Sequence, residues 1–401
     1  MLRSCTAICS LPLAVALVVA ACSGPDAAAP SSSSSEETAG AVGRGEPGRS
    51  ADGTSDADGG GDAPVLAIGR PDVTPAGNRV AEGRGALDRV DPVDIALPSR
   101  PTKLAPLSHP SLGPLWWVEL DTGDTIVVGL DGVVDRAIAA SRGNDLMSSF
   151  TNPLPDGTVV EWGDTIVALV GPTDRYPHGV LGDRLEASAV GVVDSTTGAG
   201  TTFGPAEPTV IEGLAPLLAD IDGDGTPEVL VTHSNADVGA WLALWTLDGR
   251  LLAESAPIGR GNRWRNQLAI APIGPRGELE VIDVRTPHIG GTVEFFRVEG
   301  AELVRVAAIE GFTNHQIGSR NVDLGIVADA DGDGSLNVVL PTDERRSLGV
   351  LERVGDSVAV VATIALDGRI TTNVGVAAGP DGRLSFAVGT DQDTLHIWPP
   401  G

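Results

Sequence analysis

Asp220-Ile-Asp222-Gly-Asp224-Gly-Thr226-Pro-Glu228 runs straight into the apolar triplet Val229-Leu230-Val231. The pattern returns as Asp329-Ala-Asp331-Gly-Asp333-Gly-Ser335-Leu-Asn337, followed by Val338-Val339-Leu340. Each copy sets oxygen-bearing side chains at loop positions 1, 3, 5 and 9, with glycine at 6 (Gly225, Gly334) and a backbone carbonyl on offer at 7 (Thr226, Ser335). Calcium requires this chemistry, because it is a hard cation that gathers six to eight oxygens. Without a cation the crowded carboxylates would repel one another, and the alternative reading is a pair of solvated acidic turns. An EF-hand is excluded: its position 12 needs a bidentate glutamate, and Val231 and Leu340 stand there, followed by strand-forming residues instead of a helix.

Strands set the surroundings of both loops. From Leu97 onward the chain alternates short β-prone runs with turn residues, and no long stretch has helical periodicity. A hairpin recurs around the turn glycines Gly198, Gly249, Gly300 and Gly355, at separations of 249 − 198 = 51, 300 − 249 = 51 and 355 − 300 = 55 residues. A period near 50 holding four strands is the size of a propeller blade. The expected fold is therefore all-β, a single β-propeller of about six blades at 111–140, 155–205, 210–256, 264–309, 320–365 and 370–398. Five or seven blades stay open, and a pair of β-sandwiches fits the period less well. The last blade has three strands of its own, and a strand near Leu97–Leu107 is expected to complete it and close the ring.

The two acidic stretches resemble the calcium loops of FG-GAP and VCBS repeats, found in integrin-type propellers and bacterial surface proteins. The resemblance covers roughly residues 110–398. It implies that each loop joins the first and second strands of a blade. It also implies calcium at Asp220, Asp222, Asp224, Thr226 and Glu228, and at Asp329, Asp331, Asp333, Ser335 and Asn337. The matching stretches Pro272–Glu278 and Gly379–Arg383 keep one carboxylate each, so two loops are the metal candidates.

The N-terminus reads as a lipoprotein signal peptide over 1–21: Arg3, the apolar run Leu11–Ala21, then Cys22 in a lipobox-like Val19-Ala20-Ala21-Cys22. Lipidation of Cys22 would anchor the mature chain in the membrane of a bacterial cell envelope, facing the periplasm or the exterior. Residues 22–63 are a disordered tether rich in Ser, Gly and Asp, with too little apolar surface to fold. Residues 64–96 are expected to be mostly irregular, and 97–401 to form the propeller. The formal net charge of −27 repels nucleic acid.

No metal-binding histidine pair, nucleophile elbow or phosphate loop appears in the sequence. The polar clusters around Arg285 and His288, and around His315 and Arg320, are the candidate ligand-binding residues, as against buried residues tying blade to blade. The segment Pro172–Arg184, with Tyr176 and His178, is a candidate binding loop. The seven tryptophans are read as interblade packing before any sugar-stacking role. The function that follows is a lipid-anchored, calcium-binding propeller serving as a non-enzymatic binding, adhesion or interaction scaffold for a protein or glycan. The alternative is an extracytoplasmic glycan-acting hydrolase or lyase on the same fold.

Overall fold

The computed structural model describes residues 77–109, 113–135 and 146–401. The expected signal peptide, Cys22 and the expected tether lie outside the described residues. Two strands come first, β1 (Val80–Arg84) and β2 (Val93–Ala96). Blade one is β3 (Pro101–His109), β4 (Gly113–Leu120), β5 (Thr125–Gly129) and β6 (Gly132–Asp135). Blade two is β7 (Val160–Trp162), β8 (Thr165–Thr173), β9 (Glu186–Asp194) and β10 (Gly200–Phe203), and the short β11 (Val210–Ile211) bridges it to the next blade. Blade three is β12 (Leu217–Ala219), β13 (Glu228–Asn235), β14 (Gly239–Trp245) and β15 (Leu251–Ser255). Blade four is β16 (Arg265–Ala271), β17 (Glu280–Arg285), β18 (Thr292–Glu299) and β19 (Glu302–Glu310). Blade five is β20 (Ile326–Asp329), β21 (Asn337–Pro341), β22 (Ser347–Val354) and β23 (Ser357–Ala365). Blade six is β24 (Gly375–Ala378), β25 (Leu384–Gly389) and β26 (Thr394–Trp398), completed by β2. Within each blade the neighbours run antiparallel.

The strand compositions follow from this stacking. Second strands are covered on both faces by adjacent blades, so β13, β21 and β25 are buried almost throughout, around the apolar triplets Val229-Leu230-Val231, Val338-Val339-Leu340 and Phe386-Ala387-Val388. Outer strands touch solvent, and β23 alternates between half-buried and exposed residues. The apolar clusters lie between blades. Leu169 and Val190 pack with Val229 and Val231, Phe295 with Val338 and Leu351, Trp398 with Val339 and Val350, and Trp116 with Ala387 and Ile397.

The closure uses a different segment from the one expected. Pro101–His109 opens blade one, and Val93–Ala96 completes blade six, pairing Val93 with Ile397 and Ala96 with Thr394. His396 adds a side-chain clasp, with Nδ1 2.7 Å from Asp94 Oδ1 and Nε2 3.0 Å from Asp367 Oδ1. Pro92 and the upstream glycines masked this strand, whose apolar residues are only Val93, Ile95 and the small Ala96. The segment expected to be irregular also supplies β1, which lies parallel to β20 with Val80 opposite Val327. Just before it, the Asn78 amide grips the backbone of Ile270, accepting from its N–H at 2.7 Å and donating to its carbonyl at 2.8 Å. Arg79 donates to the carbonyls of Gly325 (3.0 Å) and Val374 (3.1 Å) and pairs with Asp323. The N-terminal segment thus ties the first strands of blades four to six together.

Candidate functional site

Both acidic loops join the first and second strands of a blade: β12 to β13 and β20 to β21. In each, side-chain oxygens of the residues at positions 1, 3 and 5 converge, with the ligand atoms of Asp220, Asp222 and Asp224, and of Asp329, Asp331 and Asp333, within 4.8 Å of one another. The glycines make the turn. Gly225 (φ 88°) and Gly334 (φ 98°) occupy the left-handed region that other residues avoid. Backbone N–H groups hold the carboxylates: Gly223 donates to Asp220 Oδ1 at 2.7 Å and Gly225 to Oδ2 at 2.9 Å, and Thr226 donates to Asp224 Oδ1 at 2.7 Å. In the second loop, Ser335 donates to Asp333 Oδ1 at 2.7 Å.

Position 9 has a second task. Glu228 Oε2 accepts the Ile221 N–H at 2.8 Å, and Asn337 Oδ1 accepts the Ala330 N–H at 2.8 Å. Glu228 keeps a second oxygen for a cation and Asn337 does not. Burial, reinforced by Asp222, Asp220 and Asp224, raises the Glu228 pKa, and burial with Asp333, Asp88 and Asp329 raises that of Asp331. Asp329 Oδ1 is buried without a hydrogen-bond partner among the described residues, an unmet acceptor facing an all-oxygen ligand set. These residues fit a hard cation such as calcium.

The opposite ends of the strands carry a second cluster. Here the loop between β8 and β9 reaches across to the segment preceding β20. Val180 accepts the Gly318 N–H at 2.8 Å, and Arg320 pairs with Asp156 and with Asp183 (2.8 Å). Gly182 (φ 97°) faces the Gly318 carbonyl so closely that a Cβ there would sit 2.8 Å from its oxygen. Behind this contact, Glu212 accepts from the Ser234 hydroxyl and is bonded to His178 Nδ1. Tyr176 and Glu186 are buried beside it, and the Tyr176 hydroxyl and Glu186 Oε2 have no hydrogen-bond partner among the described residues. Burial, with the charges of Glu212 and Asp183, pushes the Glu186 carboxyl up to about 9, and burial likewise raises Tyr176. Glu212, Asn266, Arg79 and Asp323 line a pocket next to this cluster.

Two of the candidate ligand-binding residues meet here. His288 Nε2 lies 2.6 Å from His315 Nδ1, and His315 Nε2 lies 2.8 Å from the Ser319 carbonyl. A carbonyl only accepts, so His315 carries its proton on Nε2, and His288 Nε2–H donates to Nδ1. The Nδ1 of His288 is left with a lone pair. Burial lowers both pKa values, His288 to about 3 with His315 and Arg345 contributing, and His315 to about 4. Trp264 lies against both rings, and its Nε1–H donates to the Glu212 carbonyl at 3.3 Å. The other two candidates do not join them. Arg285 donates to Glu294 Oε1 at 3.1 Å, and Arg320 is taken up by its acidic partners. Trp116, Trp117, Trp245, Trp264 and Trp398 are buried between strands, Trp241 is half-buried with its Nε1–H donating to Glu254 at 2.7 Å, and Trp162 is exposed at 41%.

Sequence reading missed Glu186, Glu212 and Ser234. A signal was present in the repeat: Glu212, Trp264 and His315 stand 264 − 212 = 52 and 315 − 264 = 51 residues apart, and each lies in the segment leading into the first strand of its blade.

A scan against known protein families finds no match, and no curated protein matches the chain. Solved structures resemble it distantly. A protein of unknown function from Bacteroides caccae is 14% identical over 50% of this chain, with a TM-score of 0.29, and this chain spans 61% of its length. The soluble aldose sugar dehydrogenase of Escherichia coli is 13% identical over 75% of this chain and 95% of its own, with a TM-score of 0.34. A glucose dehydrogenase is 14% identical over 77% of this chain and 100% of its own, with a TM-score of 0.35. Likeness at this level carries no functional argument. The six blades of four strands each, three of them joined edge to edge into one larger sheet, define the class, an all-β propeller.

Proposed function

We propose that the chain is a calcium-stabilised propeller of the FG-GAP/VCBS kind, lipid-anchored through Cys22 to a bacterial cell envelope and facing the periplasm or exterior, where it serves as a binding or adhesion scaffold for a protein or glycan. The convergence of three carboxylates in each of two loops, at strand junctions of the same kind, carries this reading. Calcium bound there would neutralise the crowded carboxylates and pin the turn between two core strands. Binding to the native state alone stabilises by RT ln(1 + [L]/Kd), about 2.7 kcal/mol at a hundredfold excess over Kd. Chelator should therefore lower the melting temperature and calcium should restore it; identical melts in both would refute the metal reading. The first loop offers a fourth carboxylate oxygen through Glu228, and Pro227 stiffens it. It should fill first, so calorimetry on Asp222→Ala should lose the tighter of two steps and on Asp331→Ala the weaker.

The anchor has its own test. Cys22→Ser should move the protein from the membrane to the soluble fraction, and unchanged membrane retention would remove the lipoprotein reading.

A second reading, a glycan-acting hydrolase or lyase, is favoured by one observation. Glu186 is a buried carboxyl that keeps its proton at neutral pH beside Glu212, the environment of a general acid. Turnover of a polysaccharide panel that disappears in Glu186→Gln supports it, and a panel left untouched by the native chain removes it.

A further inference from the structure

Arg345 differs from the other arginines. Among the described residues, every other arginine that is not exposed pairs with a carboxylate: Arg79, Arg175, Arg265, Arg285, Arg297 and Arg353. Arg345 is half-buried and pairs with none, in a chain whose acidic residues outnumber its basic ones by 54 to 27. Its Nη1 donates to Gln316 Oε1 and, at 2.9 Å, to the Ile370 carbonyl. Burial and the neighbouring Arg369 lower its pKa, while Asp391 bears on it in the opposite sense. That carboxylate is already engaged, since Asp391 Oδ1 accepts the Arg369 N–H at 2.9 Å. The Arg345 backbone also sits at φ 57°, a conformation non-glycine residues adopt rarely and which tends to persist where function holds it.

Its surroundings define a ligand. Arg345 lies within electrostatic reach of His288 and His315. The His288 Nδ1 lone pair can accept a hydrogen bond and cannot donate one. The residues next in chain to His288 and to Gln316, Ile289 and Ile317, are 80% and 67% exposed, the two most exposed large apolar side chains described. We propose that this surface around Arg345 and His288 binds a hydroxy acid: the carboxylate on the Arg345 guanidinium, a hydroxyl donating to His288 Nδ1, and the carbon skeleton against Ile289 and Ile317. A guanidinium favours a carboxylate because its planar fork matches both oxygens. The ligand is a free hydroxy acid or the uronic-acid unit of a glycan, which present the same groups.

The test is titration calorimetry on the intact chain with glucuronate, lactate, glucose and cyclohexanecarboxylate. Glucuronate should bind at least about tenfold more tightly than glucose, which lacks the carboxylate, and than cyclohexanecarboxylate, which lacks the hydroxyls; tenfold corresponds to about 1.4 kcal/mol. Lactate binding as well as glucuronate identifies a free hydroxy acid, and lactate binding far more weakly identifies the glycan unit. Arg345→Gln should lose the preference for glucuronate over glucose, and Arg345→Lys should restore part of it. His288→Phe should bring glucuronate down to the affinity of cyclohexanecarboxylate. Glucose equal to glucuronate on the native chain, or Arg345→Gln with undiminished glucuronate affinity, overturns the proposal. The comparison of ligands on the native chain needs no variant to fold.

Discussion

Replacing Arg265 with alanine should destabilise the propeller by about 3–5 kcal/mol, because it strands buried carboxylates without their cation. Arg265 is 1% exposed. Its Nε lies 2.8 Å from Asp283 Oδ2, its Nη2 pairs with Glu294 Oε2, and its Nη1 donates to Ser255 Oγ at 2.9 Å. The guanidinium also lies 5.0 Å from the Phe296 ring centroid. Asp283 depends on it most. Neither Asp283 oxygen has a hydrogen-bond partner among the described residues, so the ionic contact with Arg265 is what offsets its desolvation. Glu294 retains Arg285 and Arg305. Double replacement with Asp283→Asn should therefore recover part of the loss. The control is Arg320→Ala, whose side chain is 44% exposed and whose pairs should be worth at most about 1 kcal/mol. Urea midpoints at unchanged slope measure both, and a loss below about 1 kcal/mol at Arg265 would show that the buried network relaxes or admits water.

The network was illegible in the sequence, where Arg265, Asp283 and Glu294 are three unremarkable charges on successive strands. What was legible had local causes. The acidic loops are contiguous, so spacing alone placed Asp220, Asp222 and Asp224 together, and Asp329, Asp331 and Asp333 likewise. Four-strand blades were legible because turn glycines such as Gly249 and Gly300 have to recur where the chain reverses. The closing strand was not, because Val93–Ala96 is an outer strand with little apolar content and its partner lies about three hundred residues away in the chain. The histidine cluster failed for a related reason. His288 and His315 belong to different blades, and their 2.6 Å approach is a product of how the blades are arranged. Glu212 and Glu186 are single acids in unremarkable surroundings until Ile211 pairs with Ala187 and sets them side by side.

That pairing leads to the second large effect: stability should fall as pH rises from about 5 to 9, and Glu186→Gln should remove most of that slope. Glu186 is 1% exposed. Burial, then Glu212, then Asp183 raise its pKa from 4.5 to about 9. Below about 4.5 the carboxyl is protonated in both folded and unfolded chains, so its stabilising contribution is complete. Between there and 9 the unfolded chain releases the proton and the folded chain keeps it. Stability then declines with pH, because the unfolded state binds fewer protons. Above 9 the folded carboxyl ionises too and the decline ends. Glu228 and Asp331 are raised as well and slope the same way. The informative quantity is therefore the difference between native and Glu186→Gln chains, with urea midpoints followed from pH 5 to 9 at fixed calcium. Glutamine mimics the protonated acid, so the variant should match the native chain near pH 5 and exceed it progressively towards pH 9. Parallel curves would mean that Glu186 is ionised in the fold and balanced by a group outside the described residues. In that event it could not act as a proton donor at neutral pH, and the enzymatic reading of this face would lose its one support.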